Sequence, residues 1–383
     1  MLNVGQPSEA LQSVVLCLGH FVHIYYYSWN SQKILDHSSM IFDAIYNTEW
    51  YREMNIITKL LTFMMLRSTK PCIQTAGKLF PMTLMNFTVV NLMEIKVTYE
   101  HIQTDIKCLK NHKKLITVVT LQNQIPCRMT AGKLVVLSME TLGMVLGVIV
   151  YFDDKETVLE SITPFMIDVL VASKYINAIV NVKTMIKLLN RIKENCLIFT
   201  NEKEKSILNE YSHIGQFITY GYIVGVYSTT LVFITEPLIP KWINFILQSN
   251  ETIPNKYPVP IYWYVTDMEE NFYPILCYES ICIVAIVTIT VANDSMFIIF
   301  LQHACALFAI VGRQLENLPR KKYLEDNWEY SDKFRKTNDI QYDYYVMCIK
   351  NHKRAIEYGL LFTDSFYWNN PFSLRNNLYF DYE

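Results

Sequence analysis

The sequence predicts an all-α, polytopic transmembrane helix bundle, on three observations. Charged residues make up only 18% of the 383 positions, against about 25% in a soluble domain. Hydrophobic residues reach 51% with a mean hydropathy of +0.14, and they gather in apolar runs at 10–29, 162–182, 215–235 and 272–311, each near or above the ~20 residues that span a hydrocarbon core. Tyr (26) and Phe (20) are abundant, as expected of chains anchored at membrane interfaces by aromatic rings.

The run 10–29 is the first span. His20 and His23 lie three apart on it and read as a helix face turned toward other helices, because metal ligation needs further ligands and none is near. The stretch 36–90 follows, with an acidic, small-residue entry (Asp36, Ser38), an aromatic pair (Trp50, Tyr51) and an amphipathic helix over 55–67. Pro71 ends that helix, since proline lacks the N–H a helix interior uses. Then come Thr75, Ala76, Gly77 and Lys78 and a last apolar helix carrying Phe87. This step is not a phosphate loop: no Ser or Thr follows Lys78, and no Gly stands five residues before Gly77.

Residues 94–121 are polar, with Lys96, His101, Asp105, Lys107, Lys110, Lys113 and Lys114. The earlier motif then returns 55 positions on, as Pro126, Cys127, Thr130, Ala131, Gly132, Lys133 and Leu134, ahead of an apolar run at 135–152 that Asp153 and Asp154 cut off. A second echo, Cys-Leu-Lys-Asn-His-Lys at 108–113 and Cys-Ile-Lys-Asn-His-Lys at 348–353, has an offset of 240. A solenoid would repeat at one period, so the unequal offsets point to pieces of related sequences.

The run 162–182 holds Asp168 and Lys174 and reads as a helix facing the bundle interior. The run 215–235 is a clear span. The run 272–311 is broken by Asn293 and Asp294 and is too long for one crossing, so part of it should project beyond the bilayer. Asp294 is read either as a functional intramembrane charge or as part of that wet projection. Basic segments at 183–205 and 313–336 flank the segment 236–271, whose basic residues are Lys241 and Lys256. The positive-inside rule puts the basic segments in the cytosol. The segment 236–271, with the glycosylation sequon Asn250-Glu251-Thr252, is then outside, so 215–235 runs outward and 272–311 inward.

The nine Cys are scattered with no C-x-x-C pair, which argues against a disulfide scaffold or a zinc site. A net charge of −2 gives no basic field for nucleic acid. No Ser-His-Asp constellation, Gly-rich phosphate loop or metal cluster stands at a usable spacing, so no enzyme and no cofactor is expected. Residues 1–9 are polar without a basic n-region, so no signal peptide is expected there.

The stretch 36–90 resembles the C-terminal end of an insect odorant receptor. Asp36, Ser38, Ala44, Tyr46, Trp50, Tyr51, Arg67, Pro71, Thr75, Ala76, Gly77, Lys78 and Phe87 fall in the order and spacing of that family. Asp294, Ser295, His303 and the Cys-Ile-Lys-Asn-His-Lys signature at 348–353 carry the resemblance through the other half of the chain. The order is rearranged. Residues 1–96 look like helices six and seven of one receptor, and 97–120 like a fourth-to-fifth connection. Residues 121–152 look like a second seventh-helix fragment, and 153–383 like helices two to four and the following cytoplasmic connection of another receptor. The resemblance therefore implies an incomplete, out-of-order bundle joined from fragments of two or more paralogues.

It also implies a subunit that binds small volatile ligands and gates a cation channel with a co-receptor, as a tetrameric hetero-oligomer in the plasma membrane of olfactory sensory neurons. The ligand would sit among helices two, three, four and six, with Tyr220, Tyr222, Tyr227 and Thr230 as candidate lining residues. Thr75, Ala76, Gly77, Lys78 and Phe87 would belong to the pore helix, Thr130, Ala131, Gly132 and Lys133 to its second copy, and Asn250 would be glycosylated. Counting from Phe87 to the position of the family's gate reaches His101, and counting from Leu142 in the second copy passes Asp153 and Asp154. Neither copy supplies an apolar gate, and each central charge costs about 2.5–3.5 kcal/mol on insertion scales. This exact chain is therefore expected not to conduct. Two alternatives are a gustatory receptor of the same superfamily and a non-signalling membrane protein from a pseudogene. The Trp-Tyr pair and the Thr-Ala-Gly-Lys step favour the olfactory branch.

Overall fold

The computed structural model describes residues 7–48, 50–52, 55–76, 80–85, 155–247, 255–259, 270–317 and 332–366, together with Leu142, Gly143, Leu146 and Ile149. The described residues are almost entirely helical, and several of the helices are long and apolar, as a transmembrane bundle requires.

Helix α1 spans Pro7–Tyr46. It continues well past the apolar run 10–29, through the segment read from sequence as an acidic entry. The continuation is helical because Ile34, Ile41 and Ile45 form one fully buried stripe at helical spacing. Ser38 and Ser39 return their hydroxyls to the carbonyls of Leu35 and Asp36, at 3.0 and 2.9 Å. Thr48 closes the end on the Ile45 carbonyl through its hydroxyl, at 2.7 Å. A single 3-10 turn at Trp50–Arg52 leads into α2, Asn55–Ser68. Arg67 reaches forward to the Lys70 carbonyl at 2.6 Å, and Ser38 accepts the Cys72 amide at 2.9 Å, which ties the exit of α2 back to α1.

The next two elements are short strands. Thr75–Ala76 (β1) pairs antiparallel with Phe80–Pro81 (β2), Thr75 opposite Pro81 and Ala76 opposite Phe80. Thr75 and Ala76 therefore belong to a short extended pairing ahead of any pore helix. Gly77, Lys78, Phe87, Thr130, Ala131, Gly132, Lys133 and Asn250 lie outside the described residues.

Helix α3 spans Lys155–Val180 and α4 spans Val182–Ile198. They meet at Asn181 with a bend of 68° and together are apolar enough to form one broken span. Asn181 holds the corner by donating its side-chain N–H to Asn177 Oδ1 at 2.7 Å. Helix α4 is amphipathic: Met185, Leu188, Leu189 and Ile192 are buried while Lys183, Lys187 and Lys193 are exposed. Helix α5, Glu202–Thr235, starts thirteen residues before the apolar run. Asn201 caps it by accepting the Lys203 amide at 3.1 Å, and Glu202 and Glu204 sit favourably in its first turn. A 3-10 turn at Glu236–Leu238 then passes into α6, Ile239–Leu247.

Helix α7, Phe272–Glu316, is the axis of the molecule. Its 45 residues make a rod of ~68 Å, more than twice a ~30 Å hydrocarbon core. Asn293 and Asp294 do not break it; the helix runs through both. Its second half is buried on nearly every side, from Met296 to Leu315, because α5, α1 and α8 all pack on it. Helix α8, Asp332–Ser365, is polar outside and carries a buried stripe of Tyr345, Cys348, His352, Ala355 and Phe362. One core includes residues from Tyr26 to Phe362, so segments far apart in the chain share a single interior.

The two helices that separately pass as spans, Glu202–Leu247 and Phe272–Glu316, run in opposite directions. Gln314 near the end of α7 donates to Glu204 at the start of α5, at 2.6 Å, which sets the start of α5 and the end of α7 side by side. At the other end Lys241 lies 3.6 Å from the centre of the Phe272 ring and donates to Asn255 at 2.6 Å.

Candidate functional site

Four helices converge on one carboxylate. Asp294 of α7 is fully buried, in the middle of an apolar helix. Tyr27 of α1 donates its hydroxyl to Oδ1, and Tyr222 of α5 donates to Oδ2 at 2.5 Å. Lys174 of α3 places its ammonium 3.0 Å from Oδ1. His23 of α1 brings Nδ1 to 3.6 Å from Oδ2 and 3.1 Å from the Tyr222 hydroxyl. Its other nitrogen, Nε2, lies 2.9 Å from Lys174 Nζ. An ammonium only donates, so Nε2 accepts and Nδ1 carries the ring proton.

The surroundings are aromatic. Tyr26 stacks on Tyr222 with ring centres 4.4 Å apart, and Lys174 lies 4.8 Å from the centre of the Tyr27 ring. Tyr27 packs in turn on Phe297 at 4.7 Å. These contacts fix the positions of α1, α3 and α5 against α7 at a single level. Asp168, two turns before Lys174, is also buried.

Of the four candidate lining residues, the structure brings only Tyr222 into this cluster. Tyr220 is 61% exposed on the opposite face of α5. Tyr227 exchanges a hydrogen bond with Thr288 of α7 at 2.9 Å, nearer the other end. Thr230 is buried but returns its hydroxyl to the Val226 carbonyl at 2.8 Å. Sequence reasoning flagged His23, Lys174 and Asp294 separately and overlooked Tyr26 and Tyr27. Their signal was the helical spacing from His23, which puts them on the same face of α1.

A second polar group lies toward the basic end. Gln302 of α7 donates to Asn30 of α1 at 3.3 Å. His303 meets Asn195 of α4 at 3.1 Å and lies edge-on to the Tyr358 ring, 5.0 Å between centres. A narrow crevice between α5 and α7 runs past Tyr211, Gly215, Gln302 and His303. Further on, Asn351 of α8 donates to Gln314 Oε1 at 3.1 Å, Arg354 donates to Asn351 at 2.7 Å, and Tyr344 donates to the Gln314 carbonyl at 3.1 Å. Where α8 packs on α2, burial together with Arg67 pushes the His352 imidazole down to about 4, and burial pushes the Cys72 thiol up to about 11. Among the described residues no group of three His, Cys, Asp or Glu side chains could hold a metal ion.

A family model described as 7tm Odorant receptor matches residues 1–93 and 154–366. No curated protein and no solved structure matches the chain.

Proposed function

This chain belongs to the 7tm odorant receptor family, and we propose that it is a ligand-binding subunit that takes small volatile molecules and works with a co-receptor in an odorant-gated cation channel. The observation that carries the proposal is the Asp294 cluster. A charge in the middle of a membrane span marks function by default, and this one is joined to α1, α3 and α5 at one level. A ligand that enters between these helices shifts their equilibrium if it binds one arrangement better than another. Tyr222 is the lining residue most directly tied to that cluster. Tyr220, Tyr227 and Thr230 would line other faces of α5.

The two matched portions flank residues 94–153, which the family model does not cover. We take 1–96 as the family's sixth and seventh helices and 153–383 as its second to fourth with the following connection. The fragments between them, 97–120 and 121–152, would then interrupt the pore helix. The ligand-binding half and the gating half separate on this reading: the subunit assembles and binds but does not conduct.

The test co-expresses the tagged chain with a co-receptor and follows two signals, co-purification from the plasma membrane and current evoked by a panel of volatiles. Co-purification without current is the expected result. An odorant-evoked current would show that 94–153 leaves the pore intact. Failure to co-purify from membranes that contain both chains would overturn the subunit reading.

A further inference from the structure

We propose that Asp294, His23, Tyr27 and Tyr222 form a binding site for a primary alkylammonium ion, the protonated form of a small volatile amine, and that Lys174 is its built-in competitor. The inference rests on the receptor reading above and names the ligand class for the same site. The argument is the shape of the coordination around Lys174. A primary ammonium has three N–H donors and no acceptor. Around Nζ stand three acceptors: Asp294 Oδ1 at 3.0 Å, His23 Nε2 at 2.9 Å and the Tyr27 hydroxyl at 3.4 Å. The face of the Tyr27 ring lies on a fourth side at 4.8 Å, where a cation is attracted by the ring quadrupole. Every donor of the ammonium is matched, and Tyr222 holds the second carboxylate oxygen in place from the far side.

The cage has an open rim. Asp294 is 0% exposed, whereas the side chains of Lys174 and His23 are 29% and 31% exposed. Lysine sits on a flexible four-carbon stem, so its ammonium can withdraw toward the rim while the carboxylate stays behind. An incoming R–NH3+ then takes the same three acceptors beside the Tyr27 ring and leaves its alkyl group along the path now taken by the Lys174 stem. A carboxylic acid fits poorly, because its carboxylate would meet Asp294 about where Lys174 now stands, and the local cation is already engaged. A quaternary ammonium keeps the charge and the ring contact but has no N–H to give.

The test uses the full chain in lipid nanodiscs and its thermal unfolding midpoint, titrated with ethylammonium chloride. Tetramethylammonium chloride at equal ionic strength is the control. For Lys174→Ala, ethylammonium should raise the midpoint saturably and tetramethylammonium should not. The wild-type chain should need at least tenfold more ethylammonium for the same rise, because Lys174 competes. Adding Asp294→Asn to Lys174→Ala should abolish the response. Equal responses to both salts, no response in Lys174→Ala, a response that survives Asp294→Asn, or equal sensitivity of wild type and Lys174→Ala would each overturn the proposal. If Lys174→Ala does not fold, it is expressed with and without ethylammonium: recovery of folded protein supports the site, and equal yields overturn it. Neither measurement uses a co-receptor or a current, so this proposal and the subunit reading fail independently.

Discussion

Helix α7 carries two polar clusters that do different work. The one at Asp294 is charged and surrounded by apolar helix, and it joins α1, α3 and α5 to α7 through one carboxylate. The one at Gln314 is a relay near the basic end: Arg354 donates to Asn351, Asn351 to Gln314 and Gln314 to Glu204, so two neutral amides separate its two charged ends. The first concentrates its interactions on one group, so removing that group disconnects every partner together. The second is a chain in which Gln314 keeps Glu204 and Tyr344 when Asn351 is lost. A buried charge network has more to lose than an amide relay, because an uncompensated charge in low dielectric costs far more than a missing amide contact.

Asp294→Ala should therefore have the largest effect. It leaves the Lys174 ammonium without its carboxylate and two tyrosine hydroxyls without their acceptor. Breaking a buried pair from one side should lower stability by about 3 kcal/mol, seen as a lower unfolding midpoint in detergent. Combining Asp294→Asn with Lys174→Met should recover most of that loss, since no charge then remains. If the pair of substitutions is as damaging as Asp294→Ala, the charge is not what makes this cluster sensitive.

The next test probes the α2–α8 contact. His352 is buried and held neutral in the folded chain, its imidazole pushed down to about 4, whereas in the unfolded chain it titrates near ~6.5. Below that pH the unfolded state binds a proton the folded state refuses, so stability falls as pH falls from about 6.5 toward 4. The loss between pH 6.5 and 5 should be about 2 kcal/mol, with little change above pH 7. Denaturant midpoints at pH 7.5 and 5 measure it, and His352→Gln should flatten the slope. An unchanged slope in that variant would place the pH sensitivity elsewhere.

Much of this was legible in the sequence, but only one segment at a time. Apolar runs located long stretches of α1, α3, α5 and α7, and the basic segments implied that α5 and α7 run in opposite directions, as they do. His23, Lys174 and Asp294 each stood out as a polar residue in an apolar run. Nothing local says that they meet: the pairs are 120 and 271 positions apart, and the alignment of helices past one another is set by packing rather than by periodicity. Asn293 and Asp294 read as a break because a polar pair in an apolar run costs energy when unpartnered, and the partners that remove the cost lie on other helices. Likewise the segment after 36 read only as an acidic, small-residue entry. Its helix is fixed by Ile34, Ile41 and Ile45 against the core, a tertiary effect that overrides propensity.

Asn351→Ala gives the smallest expected effect and the sharpest check on the contrast between the clusters. The substitution removes the donor to Gln314 Oε1 and the acceptor of Arg354. Gln314 still donates to Glu204 and still receives Tyr344 at its backbone carbonyl, and Arg354 is only half-buried, so water can replace Asn351 for it. One buried amide oxygen then lacks a partner, a loss of about 1 kcal/mol. That is roughly a third of the effect expected at Asp294, and both variants can be compared in the same unfolding assay. If Asn351→Ala costs as much as Asp294→Ala, the relay is as indivisible as the charged cluster. The difference between the two would then lie in their position along α7 and not in their chemistry.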